Sequence, residues 1–416
     1  MKLRKKIILP ALTLVITLAN FIFIINITNF FGVNNSLDIN FLVYGVILFF
    51  AGQLGTLLSN SYIPYIRNAD SSFGGEFNPN IFLNGFIFFI TILSIVLCII
   101  FIIAIPGAAL LIFFYSLFLI ILATNQLISI RIIETKDSYI LVQSINALVS
   151  ILSIITFHLI NSLGVFSISL SLLIVHVIGS VFFIFHDDNE FNLKKIFVVR
   201  HLFLFLNFIK HHFKVLLCLS IFALASVIDV FFIRYLDDGD FSMHALSFRI
   251  ILAATSVYYA SFGIMFTNDI TKKSNKHEDI KRIVKNVIIT VTLISIFFNT
   301  FFYFLNDYQV LWTYIFEIPE QRINYFSQSL FYNSGLIFPM LAISYYFRFY
   351  ISRDRINQLL IILFLWVITY TLSITILMKY DFQFLLQVSL NIAWWVCLAY
   401  IIFKELTPKY FQFNKS

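Results

Sequence analysis

The stretch from Ile27 to Ile66 reads ITNFFGVNNSLDINFLVYGVILFFAGQLGTLLSNSYIPYI. A second stretch answers it about half a chain later, from Ser226 to Ile270: SVIDVFFIRYLDDGDFSMHALSFRIILAATSVYYASFGIMFTNDI. Each is the end of one apolar run, a short turn rich in Asp, Asn and Gly, a second apolar run, and a polar exit. An offset of 204 residues aligns Tyr44 with Phe248, Gly45 with Arg249 and Pro64 with Asn268. Few identities survive this alignment; hydropathy and turn placement do. A membrane unit present twice predicts two lobes facing a shared cleft, an arrangement more typical of a transporter than of an enzyme.

Working outward, the composition leaves one solvent. Hydrophobic residues make up 60% of the 416-residue chain and charged residues 12%, and the mean hydropathy is +0.92. A soluble domain carries about a quarter charged residues, so this chain lacks the polar surface to close in water. In lipid every backbone N–H and C=O must be satisfied within the protein, which leaves helices or a closed barrel. Barrel strands alternate apolar and polar residues. The runs here are continuously apolar over about twenty residues, the length of a membrane helix. The first run is too long for a cleavable signal, has no small-residue cleavage site after it, and is expected to be retained.

Twelve spans are expected, at roughly 7–31, 40–66, 81–105, 107–130, 138–160, 164–186, 214–236, 243–267, 286–305, 327–347, 357–378 and 383–403. Charge tests the count. With loops numbered alternately inside and outside from an inner N-terminus, 24 of the 28 Lys and Arg residues fall inside, and the outer loops hold Arg322 and Lys379. That asymmetry favours an even number of spans with both termini cytoplasmic. The net charge of +7 follows from topology and calls for no nucleic-acid partner. Between the sixth and seventh spans, EFNLKKIFVVRHLFLFLNFIKHH has an apolar middle too short for a crossing, with basic flanks, and reads as an amphipathic linker on the inner surface. The expected fold class is therefore an all-α polytopic membrane protein: about twelve helices in two six-helix lobes around a central cavity. Residues 1–186 form the N-terminal lobe, 187–213 the linker, and 214–416 the C-terminal lobe with a short tail.

Charges inside a bilayer are costly and mark function. Arg249, about seven residues into the eighth span, suits an anionic group, because a guanidinium stays charged and clamps phosphate oxygens in bidentate fashion; the plainer reading pairs it with Asp229 as an interhelical strut. Arg234 lies near an outer end and can snorkel to headgroups. Asp38 sits in the first outer turn, where capping of the second span is the plainer role. Asp237-Asp238-Gly239-Asp240 reads as a solvated turn before it reads as a cation site. His158 and His176 are candidate proton sites set against ordinary packing. Asn20, Asn84, Asn299 and Asn391 read as interhelical hydrogen-bond partners, and Pro339 as a kink in the tenth span. Cys98, Cys218 and Cys397 sit in apolar runs as packed thiols. The chain carries no phosphate-loop glycine motif, no metal-ligand spacing and no nucleophile elbow, so no cofactor and no catalytic residue is expected.

The two repeat stretches resemble those of the MurJ/MviN lipid II flippases, in the multidrug/oligosaccharidyl-lipid/polysaccharide (MOP) exporter superfamily. FFGVNNSLDINFLVYG with LLSNSYIPYI resembles the family's first element, and IDVFFIRYLDDGDFSMHALSFRIILAATSVYYASFGIMFTNDI its second; together the two stretches cover about a fifth of the chain. The resemblance implies two six-helix lobes, alternating access, and a basic cavity holding a lipid-linked pyrophosphate sugar. It matches Asp38 to the acid of the first outer turn, Arg249 to a cavity arginine and Asp229 to the acid of the second element. The family's first-span arginines have no counterpart here, where Thr17 and Phe23 stand, and its arginine of the second span has none near Ala51 to Gln53. Its two extra C-terminal helices are missing too. That twelve-span, arginine-poor form is closer to the Wzx-type flippases. The expected function is a flippase moving undecaprenyl-pyrophosphate-linked oligosaccharide (an O-antigen or capsule unit, or a peptidoglycan precursor) across a bacterial cytoplasmic (inner) membrane. Its expected substrate-binding residues are Arg249, Asp229, Arg234 and Asp38, its surroundings membrane lipids, and its drive Na⁺, H⁺ or the membrane potential. The alternatives are a cation-coupled drug antiporter of the same superfamily and, further off, a membrane glycosyltransferase or polysaccharide polymerase.

Overall fold

A computed structural model of the protein describes residues 2–72, 79–136, 138–187, 196–221, 224–229, 231–258, 277–352 and 356–406. Among these residues there is helix and turn and no strand. The helices are α1 (Lys2–Phe31), α2 (Asn35–Ser72), α3 (Pro79–Ala104), α4 (Ala109–Lys136), α5 (Tyr139–Ile160), α6 (Ser167–His186), α7 (Val199–Ser220), α8 (Leu224–Asp229), α9 (Asp240–Tyr258), α10 (His277–Asp307), α11 (Gln309–Phe316), α12 (Glu320–Ser334), α13 (Ile337–Ser352), α14 (Ile356–Lys379) and α15 (Leu385–Leu406). Nine stretches of described helix are long and apolar enough to cross a bilayer, six of them before residue 187. The protein is a multi-pass membrane protein of all-α architecture.

The other three expected spans fall where helix is interrupted or description stops. Of the seventh, the described residues are the end of α7, the six residues of α8 and a stretch with a 3-10 turn at Ile233–Tyr235, and residues 222, 223 and 230 lie outside the description. Part of the eighth, residues 259–267, lies outside the described residues. The tenth breaks between α12 and α13 at Gly335 and Leu336. Pro339 is the physical cause: its ring nitrogen donates nothing, and its bulk displaces the carbonyl four residues earlier, that of Gly335. The stretch from Asn306 to Phe326, between the ninth and tenth expected spans, contains α11, whose Trp312 and Phe316 rings pack on Phe326 of α12 at 5.5 and 5.6 Å.

The chain divides into two compact units, Met1–Ser242 and Met243–Ser416. In the first, α4 packs against α2, α3 and α6. The Tyr115 hydroxyl donates to Asn40 Oδ1 at 2.7 Å, and the Tyr115 ring lies 5.6 Å from Tyr44. The Ser94 hydroxyl donates to the Ser116 carbonyl, and Asn125 Nδ2 donates to the His176 carbonyl at 2.9 Å. Such bonds hold helices together in a medium where apolar contact alone distinguishes poorly between protein and lipid. α1 lies on α5 through edge-on contacts of Phe23, Phe30 and Phe31 with Phe157.

Helix α7 runs through the boundary expected between linker and seventh span. Its Phe205 ring sits 5.2–5.4 Å from Phe82, Phe86 and Phe89 of α3. Phe205 and Phe208 are fully buried, whereas Arg200, Lys210 and Lys214 are exposed. His212 packs on Phe208, and burial together with the neighbouring His211 lowers its pKa.

In the second unit, α14 and α15 form the closest pair, with Trp366 wedged against Trp394 at 6.0 Å and Tyr370 at 5.0 Å. Trp394 is buried, while its neighbour Trp395 is exposed and stacks on Phe338. Cys397 is buried, its thiol on the Ile362 carbonyl; Cys98 is half-buried.

The α3–α7 contact depends on Gly85, where any Cβ would overlap the carbonyl oxygen of His201, a backbone atom that cannot rotate away. Gly85→Ala should therefore lower stability by about 1–3 kcal/mol, seen as a lower thermal midpoint of the purified protein in detergent. An exposed helical glycine would show the opposite sign, since alanine is the better helix former.

Candidate functional site

Gly32, at a φ of 71°, ends α1, and its N–H bonds the Thr28 carbonyl at 2.8 Å. The next turn begins at Asn34. Its Oδ1 accepts from the Leu37 N–H at 3.1 Å and its Nδ2 donates to the Phe31 carbonyl at 2.9 Å. Asn34 is thus the cap of α2, the role that sequence alone gave to Asp38.

Asp38, 4% exposed, turns instead to the corresponding turn of the second stretch. Its carboxylate accepts from the Gly239 N–H at 2.8 Å, the Ser242 N–H at 2.7 Å and the Ser242 hydroxyl. Gly239 takes a φ of 86°, a conformation that side-chain-bearing residues rarely adopt, and this presents its N–H to the carboxylate. The Ser242 N–H belongs to the first turn of α9, where backbone donors have no partner within the helix and favour an anion. Asp38 therefore caps α9. Position 242 is also the one that the 204-residue offset pairs with position 38.

Asp229 ends α8 and is 3% exposed; its carbonyl accepts the Phe232 N–H at 2.9 Å. Arg234 lies in the 3-10 turn beyond it. Arg249 lies in α9. Phe241, Ser242, Met243, His244, Leu246, Ser247, Ile250 and Ile251 of that helix are buried, whereas Ala245, Phe248, Arg249, Leu252 and Ala253 form one half-buried flank. Asp229 belongs to the first unit and Arg249 to the second. Asp237 and Asp238 of the acidic turn are exposed.

One charged residue was misjudged from sequence. Arg131, placed there among the inner-loop cations, is 2% exposed. Its Nη2 lies 3.3 Å from Asp187 Oδ2 and donates to Asn80 Oδ1 at 3.0 Å, so one guanidinium joins α4, the end of α6 and the start of α3. Its position at the edge of an apolar run looked like a loop charge. The acid that pairs with it is 56 residues away in sequence, and no local pattern connects them.

The first unit also contains a cavity of about 390 Å³ among α2, α4, α5 and α6. Gly52 and Gly55 form one wall; Asn125, Gln126, Ser129, Asn146 and His176 bring polar groups, and Val149 and Phe183 close it. Asn125 is occupied at both ends, donating to the His176 carbonyl and accepting from the Ser180 hydroxyl at 2.7 Å. His176 Nδ1 lies 2.8 Å from the Leu172 carbonyl, and Phe118 meets the ring edge-on at 4.9 Å. A carbonyl accepts only, so Nδ1 carries the proton and Nε2 of the neutral ring is an acceptor. His158, the other histidine considered, is exposed on α5.

The second unit holds a different polar core. The Ser247 hydroxyl of α9 meets the Ser329 hydroxyl of α12 at 2.8 Å and accepts from Asn333 Nδ2 at 2.7 Å; Gln387 Nε2 of α15 donates to Ser329 at 2.8 Å. Asn391 of α15 donates to the Tyr332 carbonyl at 2.7 Å, and Ser334 of α12 to Asn299 Oδ1 of α10 at 2.9 Å. Asn299 and Asn391 thus join helices, as their sequence positions implied. Every one of these groups is neutral.

No protein-family model matches the chain, and no curated protein matches it. Solved structures do. One structure described as the lipid II flippase MurJ, inward closed, superposes with a TM-score of 0.77 at 16% identity, covering 95% of this chain and 86% of that one. An inward-facing multidrug resistance MATE transporter of the MOP superfamily gives 0.70 at 14% identity, over 97% and 99%. A eukaryotic MATE transporter gives 0.64 at 12% identity, over 97% and 95%. At these identities the likeness is one of fold.

Two substitutions test the clasps. Asp38→Ala leaves the Gly239 and Ser242 donors without their acceptor and should cost about 2 kcal/mol, with faster amide exchange confined to residues 239–243. Arg131→Ala removes the ion pair of Asp187 and should cost about 3 kcal/mol; Asp187→Asn in the same chain should recover part of the lost thermal midpoint.

Proposed function

We propose that this protein is a flippase that carries an undecaprenyl-pyrophosphate-linked oligosaccharide across a bacterial cytoplasmic membrane by alternating access, with both termini and the basic loops on the cytoplasmic side. The observation that carries the reading is the use made of membrane charge. A cation-coupled antiporter needs intramembrane carboxylates for its ion, and that of Asp38 is taken up by three hydrogen bonds from the 239–242 turn. Arg249, on the half-buried flank of α9, is the cation assigned to the pyrophosphate, whose charge would be costly to carry unpaired across the low-dielectric midplane. Asp229 and Arg234 are assigned to the electrostatics around the passing headgroup, and Asp38 to holding the turn from which α9 starts. The likeness to a lipid II flippase supports the cargo class.

The likeness to multidrug transporters favours a second reading, cation-coupled export of small molecules. In that case Asp229, buried at the end of α8, is the carboxylate assigned to the coupling ion.

In cells that depend on this protein for surface polysaccharide, Arg249→Ala should reduce export at least tenfold at unchanged protein level, and Arg249→Lys should retain part of it. Full export by Arg249→Ala would remove the flippase reading. Loss of resistance to cationic drugs on Asp229→Asn, with polysaccharide unaffected, would establish the second.

A further inference from the structure

The cavity of the first unit has a chemistry of its own, apart from the charges assigned to the headgroup. Its walls offer hydrogen bonds without net charge: among the described lining residues there is no carboxylate, ammonium or guanidinium. Gln126 Oε1 is shielded from solvent and has no hydrogen-bond partner. His176 Nε2 is an acceptor by the tautomer that the Leu172 carbonyl imposes. Ser129 donates its own proton to the Asn125 carbonyl at 2.6 Å, which leaves its oxygen lone pairs to accept. Asn146 adds a carboxamide able to do both. The Gln126 and Asn146 carboxamides bring N–H donors beside these acceptors, and a buried acceptor left unmet costs free energy. The complementary ligand is uncharged and rich in hydroxyl donors. Its size falls within the range of small-molecule pockets, about 300–1,000 Å³; Gly52 leaves open space where a side chain would begin, so a ring can approach backbone there, while the Gln126 carboxamide lies over Gly55.

We propose that this cavity is a subsite for one uncharged sugar residue of the cargo. The inference rests on the flippase reading and deepens it: the pyrophosphate is met by charge and the sugar by carboxamides, hydroxyl and imidazole. A cationic drug finds no carboxylate among the described lining residues.

The test uses the full-length protein in detergent or nanodiscs, with methyl hexopyranosides as probes up to about 0.1 M and tetraethylammonium as the cationic control, read as ligand-dependent thermal stabilisation. The glycosides should raise the midpoint and slow amide exchange in residues 122–130 and 172–183, and tetraethylammonium should do neither. Gln126→Leu and Asn146→Leu should each weaken apparent glycoside affinity about fivefold to tenfold, the worth of one lost hydrogen bond. Wild-type protein indifferent to glycosides, or stabilised by tetraethylammonium instead, overturns the proposal even if the variants do not fold; equal affinity in variant and wild type does the same. Arg249→Ala separates the two readings. It should keep the glycoside response while losing export, so full export with an intact response would sink the pyrophosphate role and leave the sugar subsite standing.

Discussion

A carboxylate buried in a lipid-embedded protein must be supplied with donors. Asp38 obtains them from one turn: the Gly239 N–H, the Ser242 N–H and the Ser242 hydroxyl. The need is mutual, because the first turn of α9 has N–H groups that no intrahelical carbonyl reaches. The turn conformation, the positive φ of Gly239 and the start of α9 all follow from satisfying both at once. The repeat makes the pairing intelligible. Positions 38 and 242 correspond under the 204-residue offset, and they touch. Two acids there would repel one another; an acid facing a small hydroxyl is the combination that closes. The repeats differ at this point because the contact is between them.

The fold was legible because bilayer physics is strict. Apolar runs of about twenty residues and a turn repeated at fixed spacing are enough to specify an all-α membrane protein. The break in the tenth span was visible through Pro339. In the seventh, residues 214–236 are almost uniformly apolar, and nothing in KVLLCLSIFALASVIDVFFIRYL marks the 3-10 turn at Ile233–Tyr235. Local rules also misassigned the cap of α2, since Asn34 and Asp38 are both good capping residues and the choice is settled by a turn 200 residues away. Arg131 failed in the opposite sense, counted with the basic residues of the inner loops when it is buried with Asn80 and Asp187 as partners. Hydropathy cannot register a bond between distant helices.

The two units solve the problem of polar groups in lipid differently. The first uses ionised groups at its helix ends, Asp38 at one and Arg131 with Asp187 at another, and keeps neutral groups around its cavity. The second ties α9, α12 and α15 through hydroxyls and carboxamides, a network of Ser247, Ser329, Asn333, Gln387 and Asn391. Neutral groups are cheaper to bury than charges, but each must find its partner. That demand fixes the register of the helices more narrowly than apolar packing would.

The neutrality of that second network has an electrical consequence. An energised membrane exerts force on net charge, about 2.3 kcal/mol for each elementary charge moved through 100 mV. Sliding a serine past an asparagine performs almost no electrical work, so α9, α12 and α15 can exchange hydrogen bonds without coupling that rearrangement to voltage. Whatever sensitivity to the field these helices possess falls on the ionised side chains they carry, Arg249 foremost among them.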